Sequence, residues 1–460
     1  MKAGASRVVL VLGALLLGSL VGAGPAVPAR TSYPNIVLFL TDDQRWDTLQ
    51  YMPEVTSLLQ QQGVTFANAF DPDPLCCPSR TSILTGHYSH TTGVYRNDPP
   101  NGGFDSFDDS VTIATMLHDA GYRTGLIGKY LNGYSKEDAG YIPPGWDRWF
   151  ARLSTEEYWS WPVSDQGVFE HFSAYATRVL TSQAISFIRS VPDGQPLFLD
   201  LAYNAPHRPW VPAPGDVGAF DGIAPYRPPS FNEADVSDKP PYIQAIPPFD
   251  QRKIDQIDKD RQAQLETLLA VDRGVSRVIA ELSNTGRLAN TLVVFASDNG
   301  ILWGEHRSGG KQAPYEEAIR IPMVIRYDPV TGAQAGAIVS EPVLNLDLTA
   351  TWEELAGVID PTAEGMSLMP LLAGTPTPWR DSFVLETLRQ QVPTYCGARS
   401  DELVYVQYGD GFEELYDRSV DPYELQNVAA DPSYGPKLQE MRALAQGLCV
   451  PVPPGFSWMH

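Results

Sequence analysis

The chain has 460 residues, enough to bury a large core, and on size alone it forms one large domain with an appendage or up to three smaller ones. Apolar content of 43% and charged content of 19% describe an ordinary globular protein. A formal net charge of -22 argues against nucleic acid as a partner, and against long polyanions unless a local basic pocket overrides the global field.

The N-terminus carries Lys2 and Arg7, an apolar run from Val8 to Leu20 and a small-residue stretch from Val21 to Ala29. This pattern predicts a secretory signal peptide over residues 1–29, too short for a comfortable membrane span. No cysteine follows the run, which argues against a lipoprotein anchor, and no later segment approaches a transmembrane length. The expectation is an exported, extracytoplasmic protein without a stable membrane anchor. Export places Cys396 and Cys449 in an oxidising compartment, where a disulfide between them is the hypothesis.

The first strand signal is Asn35 to Leu40, a continuous apolar run of the kind buried on both faces of a sheet. It ends in Thr41-Asp42-Asp43, two adjacent carboxylates that repel one another unless a cation sits between them, which implies a hard metal such as Ca²⁺ or Mg²⁺, although a lone Asp-Asp reads more readily as a helix cap or a turn. Pro53 to Gln62, closed by Gly63, reads as a helix. Leu75 to Gly86 then reads Leu-Cys-Cys-Pro-Ser-Arg-Thr-Ser-Ile-Leu-Thr-Gly. Pro78 suits a helix start, Ser79 can cap, and Ile83 and Leu84 begin an apolar face, so Cys76 is expected just before a helix N-terminus. A nucleophile there, with Arg80 one turn along, faces a site built to hold an anion. Cys77 is read as packing, and His87 and His90 as structural.

Three further runs repeat the first. Arg123 to Gly128 delivers Lys129, Pro196 to Tyr203 delivers Ala205-Pro206-His207, and Asn290 to Ala296 delivers Ser297-Asp298-Asn299-Gly300. Helical patterns precede them at Val111–Ala120, Ala174–Val191 and about Ile254–Leu282. Four strands alternating with helices predict an α/β fold with a mainly parallel sheet, whose site lies outside the carboxyl ends of the strands. The groups at those ends, with Cys76 and Arg80, are therefore expected to converge.

Pro206 to Pro248 holds eleven prolines and no helical periodicity, as a rim or lid loop would. The aromatic residues Trp146, Trp149, Tyr158, Trp159 and Trp161 read as packing. Ile301 to Pro322 reads as a flexible polar loop presenting Lys311, followed by a strand from Met323 to Arg326 and a helix from Leu344 to Val358. Beyond about Thr375 the pattern changes to hairpin-like strands at Asp381–Glu386 and Leu403–Tyr408, then a helix near Lys437–Gln446 closed by Gly447. A main domain over 30–374 and a small α+β subdomain over 375–460 are predicted, with no internal repeat.

Cys76, Pro78, Ser79, Arg80, Leu84, Thr85 and Gly86 complete the pattern Cys-x-Pro-Ser-Arg-x-x-x-Leu-Thr-Gly. In this the chain resembles the type I sulfatases, whose first cysteine in that pattern is oxidised to formylglycine. The resemblance runs from Pro34 to about Asp431. It includes the opening strand with Asp42 and Asp43, Gly128-Lys129, Ala205-Pro206-His207, Ser297 to Gly300, Lys311 with Tyr315-Glu316, and Glu414 to Asp417 with Asp421-Pro422 and Asn427. Gly128-Lys-Tyr-Leu-Asn132 and Ile142-Pro-Pro-Gly-Trp146 most resemble the N-acetylglucosamine-6-sulfatase branch of secreted sulfatases.

The resemblance implies an alkaline-phosphatase-like (sulfatase) fold, a large mostly parallel sheet flanked by helices, with a small C-terminal α+β domain. It also implies an enzyme, a sulfuric ester hydrolase acting on sulfate monoesters of sugars or aryl alcohols, matured by a formylglycine-generating enzyme. Asp42, Asp43, Asp298, Asn299 and modified Cys76 would hold Ca²⁺, or Mg²⁺. Arg80, Lys129 and Lys311 would clamp the sulfate and stabilise charge growing on its oxygens. One hydroxyl of hydrated formylglycine would attack sulfur, His207 or Lys311 would protonate the leaving alcohol, and the second hydroxyl would expel sulfate. Many sulfatases have a histidine two residues after the lysine; here that position is Leu131, followed by Asn132. The base for sulfate release is thus open, with His306 a candidate. Two alternatives share the scaffold: a phosphonate or phosphate ester hydrolase, and a non-catalytic binder of sulfated ligands.

Overall fold

The computed structural model describes residues 33–153 and 156–459, together with Met1 and Gly4. The predicted signal peptide lies outside this described part. Residues Tyr33–His460 form one compact unit, and no helix among the described residues is long and apolar enough to cross a membrane.

The four predicted strands are the centre of a ten-stranded sheet. Asn35–Thr41 lies between Leu197–Ala202 and Thr291–Ser297, and Arg123–Gly128 lies beyond Leu197–Ala202, all parallel. Alternate residues of the opening strand enter two different cores, with Ile36, Leu38 and Leu40 in one and Val37 and Phe39 in the other. Burial on both faces is why the run is apolar throughout rather than alternating. One core is covered by the helices Cys76–Thr85, Ile113–Asp119 and Asp347–Ala356 through Ile83, Leu117 and Trp352. The other is covered by Ala176–Ser190 and Gln251–Asn284 through Leu180, Leu268 and Val275.

The sheet is mixed rather than parallel throughout. Met323–Arg326 runs antiparallel to Thr291–Ser297, and Arg148–Arg152, Trp161–Asp165 and Val168–Phe172 form an antiparallel run at the far edge. Met323–Arg326 is the strand expected there; the three edge strands are short and no helical pattern separates them, so the alternation that revealed the central four does not reveal them. Trp149, Tyr158 and Trp161 are buried in the core as expected, whereas Trp159 is 40% exposed.

Several boundaries differ from the sequence reading. Cys76 is the first residue of its helix rather than the one before it, Leu75 is the N-cap without a side-chain cap, and Pro78 sits in the first turn. Ser79 does not cap; its hydroxyl donates to the carbonyl of Asp298. The stretch expected as a flexible loop before Lys311 is folded into a hairpin, Leu302–Trp303 against Gly309–Gly310. Its polar side chains have buried partners, which is what folds it in. Near the C-terminus, Gly447 lies within the helix Gly435–Leu448, which ends at Cys449 because that residue is bonded elsewhere and Pro451 follows.

The C-terminal region is a four-stranded antiparallel sheet, Ser382–Thr387, Tyr395–Ser400, Leu403–Tyr408 and Glu413–Asp417. One face packs Ala398, Tyr405 and Leu415 on the helix Gly435–Leu448, while the other packs Phe383, Leu385 and Val406 against Phe70, Tyr315 and Ile319. Cys396 and Cys449 form a disulfide that ties this helix end to the sheet across a sequence separation of 53. The double variant C396A/C449A is expected to lose about 3 kcal/mol of stability, the range of a loop closed by a native disulfide, read from urea unfolding of the two proteins.

His87 and His90 bridge the layers, as a structural reading requires. His87 Nδ1 lies 3.3 Å from Glu364, and His90 Nδ1 lies 2.9 Å from Glu386 on the first C-terminal strand. Burial disfavours charge on His90, but Glu364 and Glu386 outweigh it and push its pKa up to about 9. An unfolded histidine titrates near about 6.5. The folded state thus binds the proton more tightly, so this contribution is complete below about pH 6.5 and is lost as pH rises through about 9. The stability gap between the wild type and H90Q is expected to be widest at pH 6 and to close by pH 9.5 in urea titrations.

Candidate active site

The ends of the four central strands bring Asp42, Asp43, Lys129, His207, Asp298 and Asn299 together, and the helix Cys76–Thr85 adds Cys76 and Arg80. Lys129 is held close because Gly128, at a φ of 127°, passes the neighbouring strand so tightly that a Cβ there would sit 1.8 Å from the Ala202 carbonyl oxygen. Asp43 also has a positive φ of 66°, a conformation aspartate tolerates better than most residues.

The site is dense in opposite charges. Lys129 Nζ is 2.5 Å from Asp42 Oδ2, and Lys311 Nζ contacts Asp43 Oδ1 and lies 2.8 Å from the Cys76 sulfur. Arg80 donates through Nε to Asp298 Oδ2 at 3.0 Å and through Nη1 to the Lys129 carbonyl at 3.0 Å. Its second terminal nitrogen lies 2.9 Å from Asp298 and 3.8 Å from Asp42. The thiol of Cys76 is 3.6 Å from Asp42 Oδ1.

Burial disfavours charge on Asp42, yet Lys129, His207 and Arg80 hold its carboxyl down at about 2. Asp43 is held below its ordinary value against burial chiefly by Lys311. Burial likewise works against the cations, but Asp42 raises Lys129 and Asp43 raises Lys311. Cys76 goes the other way: burial pushes its thiol up to about 11 despite the two lysines. At neutral pH the encoded side chain is therefore an uncharged thiol, poorly suited to be a nucleophile as it stands.

Two overlapping groups could hold a metal ion, Asp42, Asp43 and His207, and Asp42, Cys76 and Asp298. Asn299 lies beside them. Its Nδ2 donates to Asp43 Oδ1 at 2.7 Å, while its Oδ1 is buried without a hydrogen-bond partner among the described residues. An orphaned amide oxygen beside three carboxylates is the donor chemistry of a hard divalent cation.

His207 sits at the mouth, its Nε2 3.7 Å from Asp43 Oδ2, with Nδ1 2.8 Å from the Arg208 carbonyl. A carbonyl can only accept, so Nδ1 carries a proton and Nε2 is the atom free to exchange one. Asp43, His207 and Lys311 line a cleft of about 720 Å³, and Asn132 lines it as well. The Asn132 backbone N–H also donates to the sulfur of Cys77 at 3.1 Å, which fixes Cys77 as packing.

His306 is not part of this group. It is fully buried, its Nδ1 donates to Glu233 at 2.7 Å, and its ring packs on Tyr315 with centroids 4.2 Å apart. Glu316 is also turned away, to Arg399 at 2.8 Å and Arg418 at 2.9 Å. The sequence reading missed Glu305, whose carboxylate holds Arg45 at 2.5 Å and accepts the Trp303 N–H at 2.5 Å. It also missed Asn345, whose Nδ2 donates to Ser79 Oγ at 3.0 Å and so supports the start of the Cys76 helix. No local pattern marks either residue, because Arg45, which Glu305 holds, and Ser79, which Asn345 holds, lie 260 and 266 residues away in sequence.

Fold and site together define an α/β protein with a buried centre of paired acidic and basic side chains at its strand ends. A model of the sulfatase family matches residues 34–358, and a model of the N-sulphoglucosamine sulphohydrolase C-terminal region matches residues 304–448. The chain belongs to the sulfatase family. It is 33% identical over 391 residues to the human N-acetylglucosamine-6-sulfatase, covering 81% of this chain and 70% of that protein. It is 34% identical over 377 residues to the extracellular sulfatase SULF-1 homolog of Drosophila melanogaster, covering 78% of this chain but spanning only 33% of that longer protein. A structure solved in complex with its substrate D-glucosamine-2-N,6-O-disulfate superposes with a TM-score of 0.80, covering 90% of this chain and 97% of that one. At 23% identity that likeness speaks for the alkaline-phosphatase-like fold alone.

Proposed function

We propose that the chain is an exported hydrolase of sulfate monoesters, of sugars or aryl alcohols, that works through a formylglycine made from Cys76 and one divalent cation, Ca²⁺ in preference to Mg²⁺. The observation that carries this reading is the convergence of Arg80, Lys129 and Lys311 with Asp42, Asp43, Asp298 and Asn299 around one buried cysteine. A cysteine hydrolase would need a thiolate, and burial denies one to Cys76. Conversion to the aldehyde hydrate supplies an oxygen nucleophile and a route for releasing sulfate by collapse. A bound cation adds Lewis acidity and charge neutralisation for the sulfate oxygens.

Asp42, Asp43, Asp298 and Asn299 would hold the cation, the all-oxygen set that suits a hard ion. Arg80 is fixed at three points by Asp298 and the Lys129 carbonyl, so its charge is aimed before substrate arrives. Lys311, beside position 76, and Lys129 complete a trio of cations for an anion at that point. His207 exchanges its proton through Nε2 at the cleft mouth, where a leaving alcohol oxygen departs, and acts there as general acid. Lys311 lies deeper and serves charge stabilisation. With His306 turned to Glu233, His207, left neutral at Nε2 once it has given its proton to the leaving alcohol, is the group that takes the proton of the second hydroxyl. Human and Drosophila relatives named as sulfatases support the activity, and the word "extracellular" in the Drosophila name supports export.

Peptide mass spectrometry of protein from its native host is expected to find the aldehyde in place of the Cys76 thiol. C76A is expected to lose more than about a thousandfold in kcat/KM with an unchanged circular dichroism spectrum. An unmodified thiol in an active enzyme would defeat the formylglycine reading. Against phosphate esters of the same alcohol, sulfate esters are expected to be preferred by about a hundredfold or more in kcat/KM. Calorimetry on metal-stripped protein is expected to show uptake of one Ca²⁺, weakened at least about tenfold in N299A; equal affinity in the two proteins would remove Asn299 from the ligand set.

A further inference from the structure

Resting on the sulfatase reading above, we propose that Trp210 and Trp303 form the platform for the ring that bears the sulfate, and that this ring is a pyranose. The same cleft that exposes Asp43, His207 and Lys311 is walled by Trp210, Trp303, Phe249, Ile257 and Ile301. The two indoles are delivered by the loops that deliver the chemistry: Trp210 lies three residues after His207, and Trp303 four after Asn299. Their centroids are 5.0 Å apart, with the planes inclined by 49°. An ester oxygen within reach of His207 Nε2 therefore has its ring against this wall.

The platform is set before substrate binds. Trp303 is 5% exposed, and its Nε1 donates to Gln264 Oε1 at 3.1 Å. Both rings belong to an apolar cluster with Ile257, Tyr226, Phe231 and Phe249. The Nε1 of Trp210 is buried without a hydrogen-bond partner among the described residues, in a residue held at a φ of 54°. A buried indole N–H normally has an acceptor; with none here among the described residues, packing in the apolar cluster is what holds this ring.

The rest of the rim selects a sugar over an aryl group. Asn97, Asn132, Gln390 and Gln391 line the same cleft, and Arg208 with Glu156 and Lys253 with Asp260 bring both signs of charge to it. Arg208 and Glu156 are themselves 4.0 Å apart. Amides and charges of both signs match the hydroxyls around a pyranose, whose C–H face lies on an indole; an aryl alcohol has no groups to meet them. The mixed charge also offers no basic track for a long polyanion. About 720 Å³ suits one or two sugar rings.

The test uses aldehyde-bearing, Ca²⁺-loaded enzyme and its W210A, W303A, W210F and W303F variants, with N-acetylglucosamine 6-sulfate and methyl sulfate as substrates. The alanine variants are expected to raise KM for the sugar sulfate about tenfold or more, with kcat changed much less, while phenylalanine restores most of the loss. Selectivity for the sugar sulfate over methyl sulfate falls accordingly. Parallel losses for both substrates, or an unchanged sugar KM, would overturn the platform. If the wild type hydrolyses no sulfate ester, the hydrolase reading fails, and the platform is then judged by calorimetric binding of N-acetylglucosamine 6-sulfate to C76A. There, weakening by W210A or W303A supports it, and binding unchanged or absent refutes it.

Discussion

Three carboxylates buried in one place, Asp42, Asp43 and Asp298, have to be neutralised, and much of the chain's arrangement follows from that. Burying a lone ion costs several kcal/mol even after relaxation, so each charge needs a partner held in good geometry. The partners come from separate segments: Arg80 from a helix, Lys129 from the end of a strand, Lys311 from the turn after a hairpin. None of them can be placed by local structure. The sheet does the placing, since parallel strands ending at one edge bring distant segments to within hydrogen-bonding distance. The same cancellation of charge lets a protein with a net charge of -22 gather three buried cations in one place.

Supports behind the charges are as specific as the charges. Asn345 holds Ser79, and Ser79 reaches the Asp298 carbonyl, so two hydrogen bonds tie the helix bearing Cys76 to the loop bearing Asp298. Beneath Arg80, burial lifts the Asp200 carboxyl to about 7 even though the guanidinium draws it down. The close carboxylate contacts made by the guanidinium go to Asp298.

The sequence made this centre legible to the extent that its parts are local. Asn35–Thr41, Arg123–Gly128, Leu197–Ala202 and Thr291–Ser297 were readable because strands buried on both faces must be apolar throughout, and because helices alternate with them. The chemistry at their ends followed from the rule for open α/β sheets, and the resemblance supplied the roles. What could not be read depends on long-range pairing. His306 looked available because it lies in a polar, glycine-containing stretch; Glu233, 73 residues earlier, captures it. The loop before Lys311 looked flexible for the same reason, and the buried pair of Glu305 with Arg45 folds it in. Trp210 sat unremarked in a proline-rich excursion, since nothing local says that its indole turns into the cleft.

The C-terminal sheet is best understood through Lys311. The residues that follow this lysine are gripped from that sheet: Gln312 donates to Thr387 at 3.0 Å, its backbone carbonyl accepts from the Tyr395 hydroxyl at 2.9 Å, and its side-chain oxygen accepts the Gln391 N–H at 2.7 Å. Tyr315 then donates to Glu414 at 2.8 Å, and Glu316 is held between Arg399 and Arg418. Burial raises the Glu414 carboxyl although three tyrosine hydroxyls donate to it, so that cluster is a structural knot and not a spare acid for the cleft. A lysine has four rotatable side-chain bonds, and its ammonium is only as well placed as the backbone beneath it. The small sheet therefore acts on the chemistry without touching it, by removing from the Lys311 backbone the freedom that a surface turn would have.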